Sequence, residues 1–243
     1  MKIQEQLIDL IGHTKKIDKF KLIRLEYENG NTIFDAIAED KSVVVSGKFF
    51  KSIDNLNACI GLSDIDKMKT LLDLDEYRNG NVTFNYQGEV PCSMTFSNEH
   101  GDCNNTYRFM QAALLNRVMS KTIQKKEIDW AITVIPNQTS INRLYFQHQV
   151  HKDDPLLQIQ TNNNNLEFLF GDESTNNGKM IFASNVNGIL SASSTFPIKT
   201  ILDILQLKGD KVMQISNHRM LCITVTTDIA EYQFLVNGKK MKS

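Results

Sequence analysis

A five-residue motif occurs twice in this chain, and the distance between its copies limits the folds that are open to it. Lys69-Thr70-Leu71-Leu72-Asp73 returns after 130 residues as Lys199-Thr200-Ile201-Leu202-Asp203. Further matches follow each copy: Val82 with Val212, Cys92 with Cys222, and Tyr107-Arg108-Phe109 with Tyr232-Gln233-Phe234. Solenoid repeats are roughly 20–50 residues long, whereas a repeat of about half of a 243-residue chain indicates a duplicated domain. The sequence therefore predicts two copies of one domain.

The composition is that of a globular protein, with 41% hydrophobic residues, 23% charged residues and a formal net charge of -1. No apolar run approaches the roughly 18 residues that a membrane helix needs, and the polar start Met1–Glu5 is unlike a signal peptide. We expect an intracellular, cytoplasmic protein with no membrane partner. The cysteines at 59, 92, 103 and 222 lack close metal-ligand spacing, so we expect reduced core residues.

Hydrophobic periodicity predicts the order helix, three strands, helix, three strands in the first copy. The first helix buries Ile3, Leu7, Leu10 and Ile11, and the second begins at the cap Ser63-Asp64. The predicted strands are 20–27, 32–38, 41–50, 82–86, 90–96 and 106–110, with a hairpin turn at 29–31.

The second copy has the same order, with helices at 139–150 and from Phe196-Pro197 to about Leu205. Its predicted strands are 156–160, 166–170, 179–185, 211–216, 220–226 and 231–236. We expect domains at 1–112 and 128–243, with a strand at 128–132 opening the second and a connector at 113–127 that carries Lys125-Lys126. Each helix has one apolar stripe, so two helices must cover one face of an antiparallel sheet in an α+β fold.

Two such copies in one chain resemble the DNA sliding clamps, most closely the T-even-like clamps of tailed phages, which are DNA polymerase processivity factors. Proliferating cell nuclear antigen is similar in plan. The resemblance covers nearly the whole chain through element order, length and duplication, without a diagnostic short motif. It implies a duplicated DNA-clamp fold that forms a homotrimeric ring around double-stranded DNA. It also implies a replicative polymerase and a clamp loader as partners, in the host cytoplasm for a phage protein.

In such a ring the helices line the hole, and their basic residues face DNA phosphates without reading the base sequence. The candidate pore residues lie on or just after the predicted helices, with Lys208 on the same helix as Lys199. They are Lys15, Lys16, Lys67, Lys69, Arg143, His148, Lys199 and Lys208. The alternative is ordinary solvated helix surface, because acidic residues are interspersed.

The resemblance also carries over an assembly site and a partner site by position. The strand 106–110 would pair with 179–185 of a neighbouring subunit, and this pairing gives the interface candidates Tyr107, Phe109, Met180 and Phe182. The partner pocket beneath the connector would dock a short or C-terminal peptide of the polymerase or loader. Its candidates are Leu114, Leu115, Val118, Met119, Phe234 and Leu235. The alternative in both cases is that these apolar residues belong to the core or pin the connector to it.

Enzyme motifs are absent from the sequence: it has no glycine-rich phosphate loop, no nucleophile elbow and no zinc-protease motif. His148 and His151 lack a further ligand at metal spacing, so we expect no metal. We also expect no catalysis and no cofactor, while a hydrolase with two carboxylates that meet only in the folded chain stays open. Two other functions remain open. One is a processivity factor of the same fold that does not close a ring. The other is an unrelated β-rich interaction or carbohydrate-binding protein with a loop site at the asparagines 162–165, 176 and 177, which turn chemistry also explains.

Overall fold

A computed structural model describes residues 2–119, 128–171 and 176–239. These residues form two compact units. Apart from 41–43, the described residues up to Met119 form the first unit together with Thr227–Tyr232, and the other described residues form the second. The part of the predicted connector at 120–127, with Lys125-Lys126, lies outside the described residues.

The helices and strands follow the predicted order closely. In chain order they are α1 (Ile3–Lys15), β1 (Ile23–Glu28), β2 (Asn31–Ile37), β3 (Val43–Phe49), β4 (Ile60–Leu62), α2 (Ile65–Asp73), β5 (Asn81–Gln87), β6 (Val90–Ser97), β7 (Asn104–Arg108), β8 (Met110–Gln111) and α3 (Ala112–Val118). They continue with β9 (Ile132–Val134), α4 (Gln138–Val150), β10 (Leu156–Asn162), β11 (Asn165–Gly171), β12 (Asn177–Ala183), β13 (Ser194–Pro197), α5 (Ile198–Leu205), β14 (Asp210–Ile215), β15 (Met220–Thr226) and β16 (Ala230–Asn237). A short 3₁₀ helix, Asp75–Tyr77, follows α2.

Local chemistry explains where the principal elements begin and turn. Leu7, Leu10 and Ile11 put one buried stripe on α1. The carboxylate of Asp64 caps α2 by accepting a hydrogen bond from the Lys67 backbone N–H at 2.9 Å, as the sequence predicts. Asn163 turns the chain between β10 and β11 in the left-handed region, at φ 49°, so turn chemistry accounts for that asparagine run.

Antiparallel pairing in the two units repeats the same scheme. In the first unit the strand order is β3-β2-β1-β4-β8, and a separate sheet has the order β5-β6-β7. The second unit has the order β12-β11-β10-β13, and β14 lies between β15 and β9. The meander and the short strand before the second helix therefore occur in both units. The α+β prediction of a duplicated fold is confirmed.

The offset between the copies changes from 130 in the helices to 129 in the strands that follow. Phe84 pairs with Met94 in the first unit, and Met213 pairs with Ile223 in the second. All four side chains lie on the faces of their strands that point to the core. The turn after α5 is one residue shorter, so Gly80 corresponds to Gly209. A shift of one residue exchanges the two faces of a strand. The predicted equivalences of Val82 with Val212 and of Cys92 with Cys222 are therefore wrong.

Three further expectations differ from the structure. The stretch 128–132 contributes a strand only from Ile132 onward, and the helix α3 at the start of the connector was not predicted. The short strands β4 and β13 were not predicted, because three or four residues give too little alternation to recognise. Of the four cysteines only Cys222 is buried, and Cys103 is exposed, so the expectation that all four belong to the core is wrong.

The first unit contains a part-buried polar contact between its first helix and the late segment Thr227–Tyr232. The Tyr232 hydroxyl donates to the Asp9 carboxylate at 2.6 Å, and the Thr227 hydroxyl donates to the same oxygen at 3.1 Å. The ring of His13 stacks on that of Tyr232, with 4.5 Å between centroids. Burial, and then the charge of Asp9 and its hydrogen bond, raise the pKa of Tyr232 above its ordinary value. This hydroxyl therefore stays protonated and holds α1 in place.

Candidate nucleic-acid interface

Three of the predicted pore lysines line one groove between α1 and α2. The groove has a volume of about 400 Å³, and Lys15, Lys16 and Lys69 lie along it. Ile8 and Leu72 supply apolar lining. The helices pack through their buried stripes, so the lysines at the groove keep their charged ends near solvent. The sequence pattern did not predict this clustering, because it depends on how α1 packs on α2.

Carboxylates partly neutralise that groove. The Lys15 ammonium lies 2.7 Å from Asp66 and 2.9 Å from Asp18. The hydrogen bond to Asp66, followed by the one to Asp18, raises the pKa of Lys15 above its usual value. Lys15 is therefore charged at any physiological pH, but its field is reduced by two nearby negative charges.

The repeated motif encodes the same ion pair in both units. Lys69 pairs with Asp73 in α2, and Lys199 pairs with Asp203 in α5 with 2.6 Å between nitrogen and oxygen. Each lysine precedes its aspartate by four residues, which puts both on one helix face. Pairs of this kind contribute about 0.3–0.5 kcal/mol to a helix, so stability alone is a weak reason for their presence. A phosphate approaching either lysine would have to compete with the aspartate.

Helix α4 differs from α1, α2 and α5 because its thirteen residues include no Asp or Glu. Arg143 is exposed on it, and no ion pair of Arg143 occurs among the described residues. Tyr145, Phe146 and Val150 on the same helix are 45%, 67% and 75% exposed. Sequence reasoning missed this apolar and aromatic surface, although the uninterrupted run Leu144-Tyr145-Phe146 is a signal for it.

His148 is only half-buried, but its Nδ1 atom is buried without a hydrogen-bond partner.

The other basic candidates lie at or near helix ends or on exposed faces. Lys67 is exposed on α2, and Lys16 is the exposed residue that follows α1. The expectation that Lys208 shares a helix with Lys199 is wrong, since α5 ends at Leu205 and Lys208 lies in the exposed turn before β14. That turn begins where the apolar helical pattern ends.

The four interface candidates all point into the cores of their own units. Burial raises the pKa of the Tyr107 hydroxyl to about 12, and this hydroxyl accepts a hydrogen bond from the Asp64 N–H at 3.0 Å. Phe109 and Met180 are buried, and Phe182 stacks on Phe168 with 4.4 Å between ring centroids. A contact between subunits on these strands would therefore use their backbone edges and the alternate, outward-facing residues. The outward-facing residues are Thr106 and Arg108 on β7 and Lys179 and Ile181 on β12.

The partner-pocket candidates divide into buried and exposed positions. On and just after α3, Leu115 and Met119 are buried, whereas Leu114 and Val118 are 53% and 67% exposed. Leu114 and Val118 are four residues apart, so they form one outward apolar strip on the helix. In the second unit, Phe234 of β16 is buried and Leu235 is half-buried.

The described residues contain neither a metal-ligand cluster nor a membrane-spanning helix. Within 2–119, 128–171 and 176–239, no cluster of three or more His, Cys, Asp or Glu side chains could hold a metal ion. No helix in the same ranges is both long enough and apolar enough to cross a membrane.

Comparison with known proteins identifies the fold of the chain. No protein-family model matches the chain, and no curated protein matches it in sequence. Among solved structures it is similar to PCNA from Thermococcus kodakaraensis, with a TM-score of 0.69 and 14% sequence identity. The match covers 97% of this chain and 97% of that one. The alternative of an unrelated β-rich architecture is therefore wrong, and the chain has a PCNA-like, duplicated sliding-clamp fold.

Proposed function

We propose that this protein is a sliding clamp. It encircles duplex DNA as a homotrimeric ring and tethers a replicative DNA polymerase for processive synthesis. The observation that carries the proposal is the PCNA-like fold over 97% of the chain, together with the duplicated two-helix unit. The function follows from shape and topology, so no catalytic residue, metal or cofactor has a part in it.

Ring closure in this proposal joins the outer edges of β7 and β12 in successive subunits. Within the described residues, β7 and β12 each end a sheet, so each has an edge without a strand partner. Free edges favour pairing with another chain, and a head-to-tail pairing that closes after three subunits gives a ring. Ile181, which is 44% exposed on β12, supplies the apolar outward contact. Each subunit then contributes domains at 1–112 and 128–243 joined by the connector 113–127.

The proposed DNA contact is electrostatic and weak at each position. The pore set consists of Lys15, Lys16, Lys67, Lys69, Arg143, His148, Lys199 and Lys208. Clamps must attract phosphates without fixing on a base sequence, and non-specific binding of this kind permits movement along the duplex. The pairing of Lys69 and Lys199 with aspartates supports this, because a paired lysine attracts a phosphate less strongly than a bare one.

The polymerase and the clamp loader would dock short or C-terminal peptides on the exposed strip Leu114 and Val118. Exposed apolar residues of this size mark interaction surfaces when they lie side by side. Leu115 and Met119 fix the helix beneath that strip. Phe234 and Leu235, in the second unit, are the other two residues proposed to contact a partner.

Two measurements test the proposal in order. Light scattering over a dilution series gives the native mass, which we expect to be that of three chains. The protein should then remain on nicked circular DNA after loading and leave once the circle is cut, because only an end lets a closed ring slide off. A monomer at high concentration that is retained equally on circles and linear DNA would contradict the ring and favour the open processivity factor of the same fold.

A further inference from the structure

The second unit shows what covers the outer edge of a clamp-unit sheet. Strand β9 pairs antiparallel with β14, in the register Val134 with Met213 and Ile132 with Ile215. All four side chains are buried, and Ile132, Met213 and Ile215 are completely so. Two apolar residues, two positions apart on a short strand, are enough to close this edge.

The first unit leaves the corresponding edge uncovered. With the strand offset of 129, Phe84 and Tyr86 of β5 correspond to Met213 and Ile215 of β14. In the part of the chain that the structure describes, β6 is the only strand beside β5. Phe84 is half-buried and Tyr86 is 41% exposed, whereas their counterparts are fully buried.

A groove of about 460 Å³ runs beside this bare edge. Its apolar lining comes from Val82, Phe84 and Tyr86 of β5 and from Ile3 at the start of α1. Lys2 and Asp54 are its charged residues, so the groove carries no net formal charge. The Tyr86 hydroxyl is held by a hydrogen bond to the Asn55 carbonyl, which fixes the ring at the groove wall.

We propose that the outer edge of β5 binds an extended, uncharged peptide segment of another polypeptide as an added antiparallel strand. The peptide supplies two apolar side chains that are two residues apart, and these side chains occupy the groove. They play the part at β5 that Ile132 and Val134 play at the edge of β14. Main-chain hydrogen bonds provide the affinity in this mode of recognition, and alternate side chains provide the selectivity. The site is separate from the strip on α3 and does not require a closed ring.

The probe is a synthetic peptide with the sequence of residues 130–136, carrying lysines at its end for solubility. Amide exchange of the full chain is measured with and without the peptide. We expect exchange to slow about tenfold or more across Asn81–Gln87, because new hydrogen bonds protect edge amides. A control peptide with serine at the two apolar positions should give no protection.

A protein variant distinguishes binding at this site from nonspecific binding of the peptide. Tyr86→Lys puts a charge into the groove and should weaken binding about tenfold or more, since a charge opposes burial of an apolar strand. Tyr145→Lys is the matched control, because Tyr145 is 45% exposed on α4 in the other unit, and it should bind like the unmodified protein. The proposal is overturned by unchanged exchange in β5, by protection confined to β7 or β12, or by equal binding of the two variants when both unfold at similar temperatures. None of these outcomes depends on oligomeric mass, which tests the clamp separately.

Discussion

Lys199 and Asp203 form an ion pair across one turn of α5, with 2.6 Å between the ammonium nitrogen and the carboxylate oxygen. Lys69 and Asp73 make the same pair in α2. The repeated motif therefore preserves a neutralised charge in each unit. In a ring, this would hold DNA loosely enough to slide.

Removing the two aspartates should strengthen the attraction for DNA. Asp73→Asn with Asp203→Asn frees both lysines, so binding to duplex DNA should tighten at low salt and weaken more steeply as salt rises. The slope of log K against log[salt] increases by about 0.9 for each added phosphate contact. Fluorescence anisotropy with a duplex over a salt series measures both effects.

The opposite substitution provides the control for that experiment. Lys69→Glu with Lys199→Glu should reduce DNA binding and processive synthesis while the native mass stays unchanged. If both double variants bind DNA like the unmodified protein at low salt, the two lysines do not face DNA.

Changing Ile181 should dissociate the proposed ring. Ile181→Lys puts a charge on the outward face of the β12 edge, a substitution that blocks edge-to-edge pairing. Light scattering should show the mass falling from three chains to one. Ile189→Lys is the control, because Ile189 is 73% exposed outside any strand of the same unit. A trimer that survives Ile181→Lys would rule out this edge as the interface.

Periodicity and the duplication were sufficient to predict the long elements and the fold class, because each helix and long strand has its own apolar stripe. They failed where structure depends on non-local contacts. The groove that gathers Lys15, Lys16 and Lys69 arises from helix packing, and the burial of Tyr107 and Phe182 follows from strand faces. The one-residue shift between Val82 and Val212 was missed because a sequence match does not define which residues pair across strands.

Substitutions on the exposed strip of α3 should affect peptide binding, whereas substitutions of the buried residues beneath it should affect stability. Leu114→Ser with Val118→Ser should abolish binding of a polymerase or loader peptide with little change in unfolding temperature, since both side chains are mainly exposed. Leu115→Ser should instead destabilise the first unit by several kcal/mol, about 2–5, because it removes a fully buried side chain. Peptide binding measured by calorimetry, beside thermal unfolding, distinguishes the two. Undiminished binding by the double variant would exclude the strip as the docking site.

Loss of the Tyr232 hydroxyl should weaken the first unit. Tyr232→Phe leaves the half-buried Asp9 carboxylate with one hydrogen-bond donor fewer, which costs about 1.5–3 kcal/mol. Urea unfolding of Tyr232→Phe, Asp9→Asn and the double variant forms a double-mutant cycle. A coupling energy near zero would show that the contact is not stabilising.

Glu167 should make the second unit sensitive to acid. Burial alone would raise the pKa of its carboxyl, but hydrogen bonds from Gln160, Lys179 and Asn162, together with the charge of Lys179, lower the pKa below its usual value. A lowered folded-state pKa means that the ionised form stabilises the fold above the ordinary pKa, and that this stability is lost as pH falls through the lowered one. The destabilisation by Glu167→Gln should therefore be larger at about pH 7 than at about pH 3 in urea unfolding. An equal difference at both values would contradict the ionised network.

The contact of Asp9 with Tyr232 joins residues 223 positions apart, within a unit that otherwise consists of early sequence. During synthesis the ribosome makes α1 long before it makes the segment Thr227–Tyr232. The first unit therefore cannot complete its core until the segment Thr227–Tyr232 has emerged from the ribosome, whereas a protein with contiguous domains can finish the first domain before the second is made. The emergence of Thr227–Tyr232, and not that of α3, sets the earliest moment at which this unit reaches its native state.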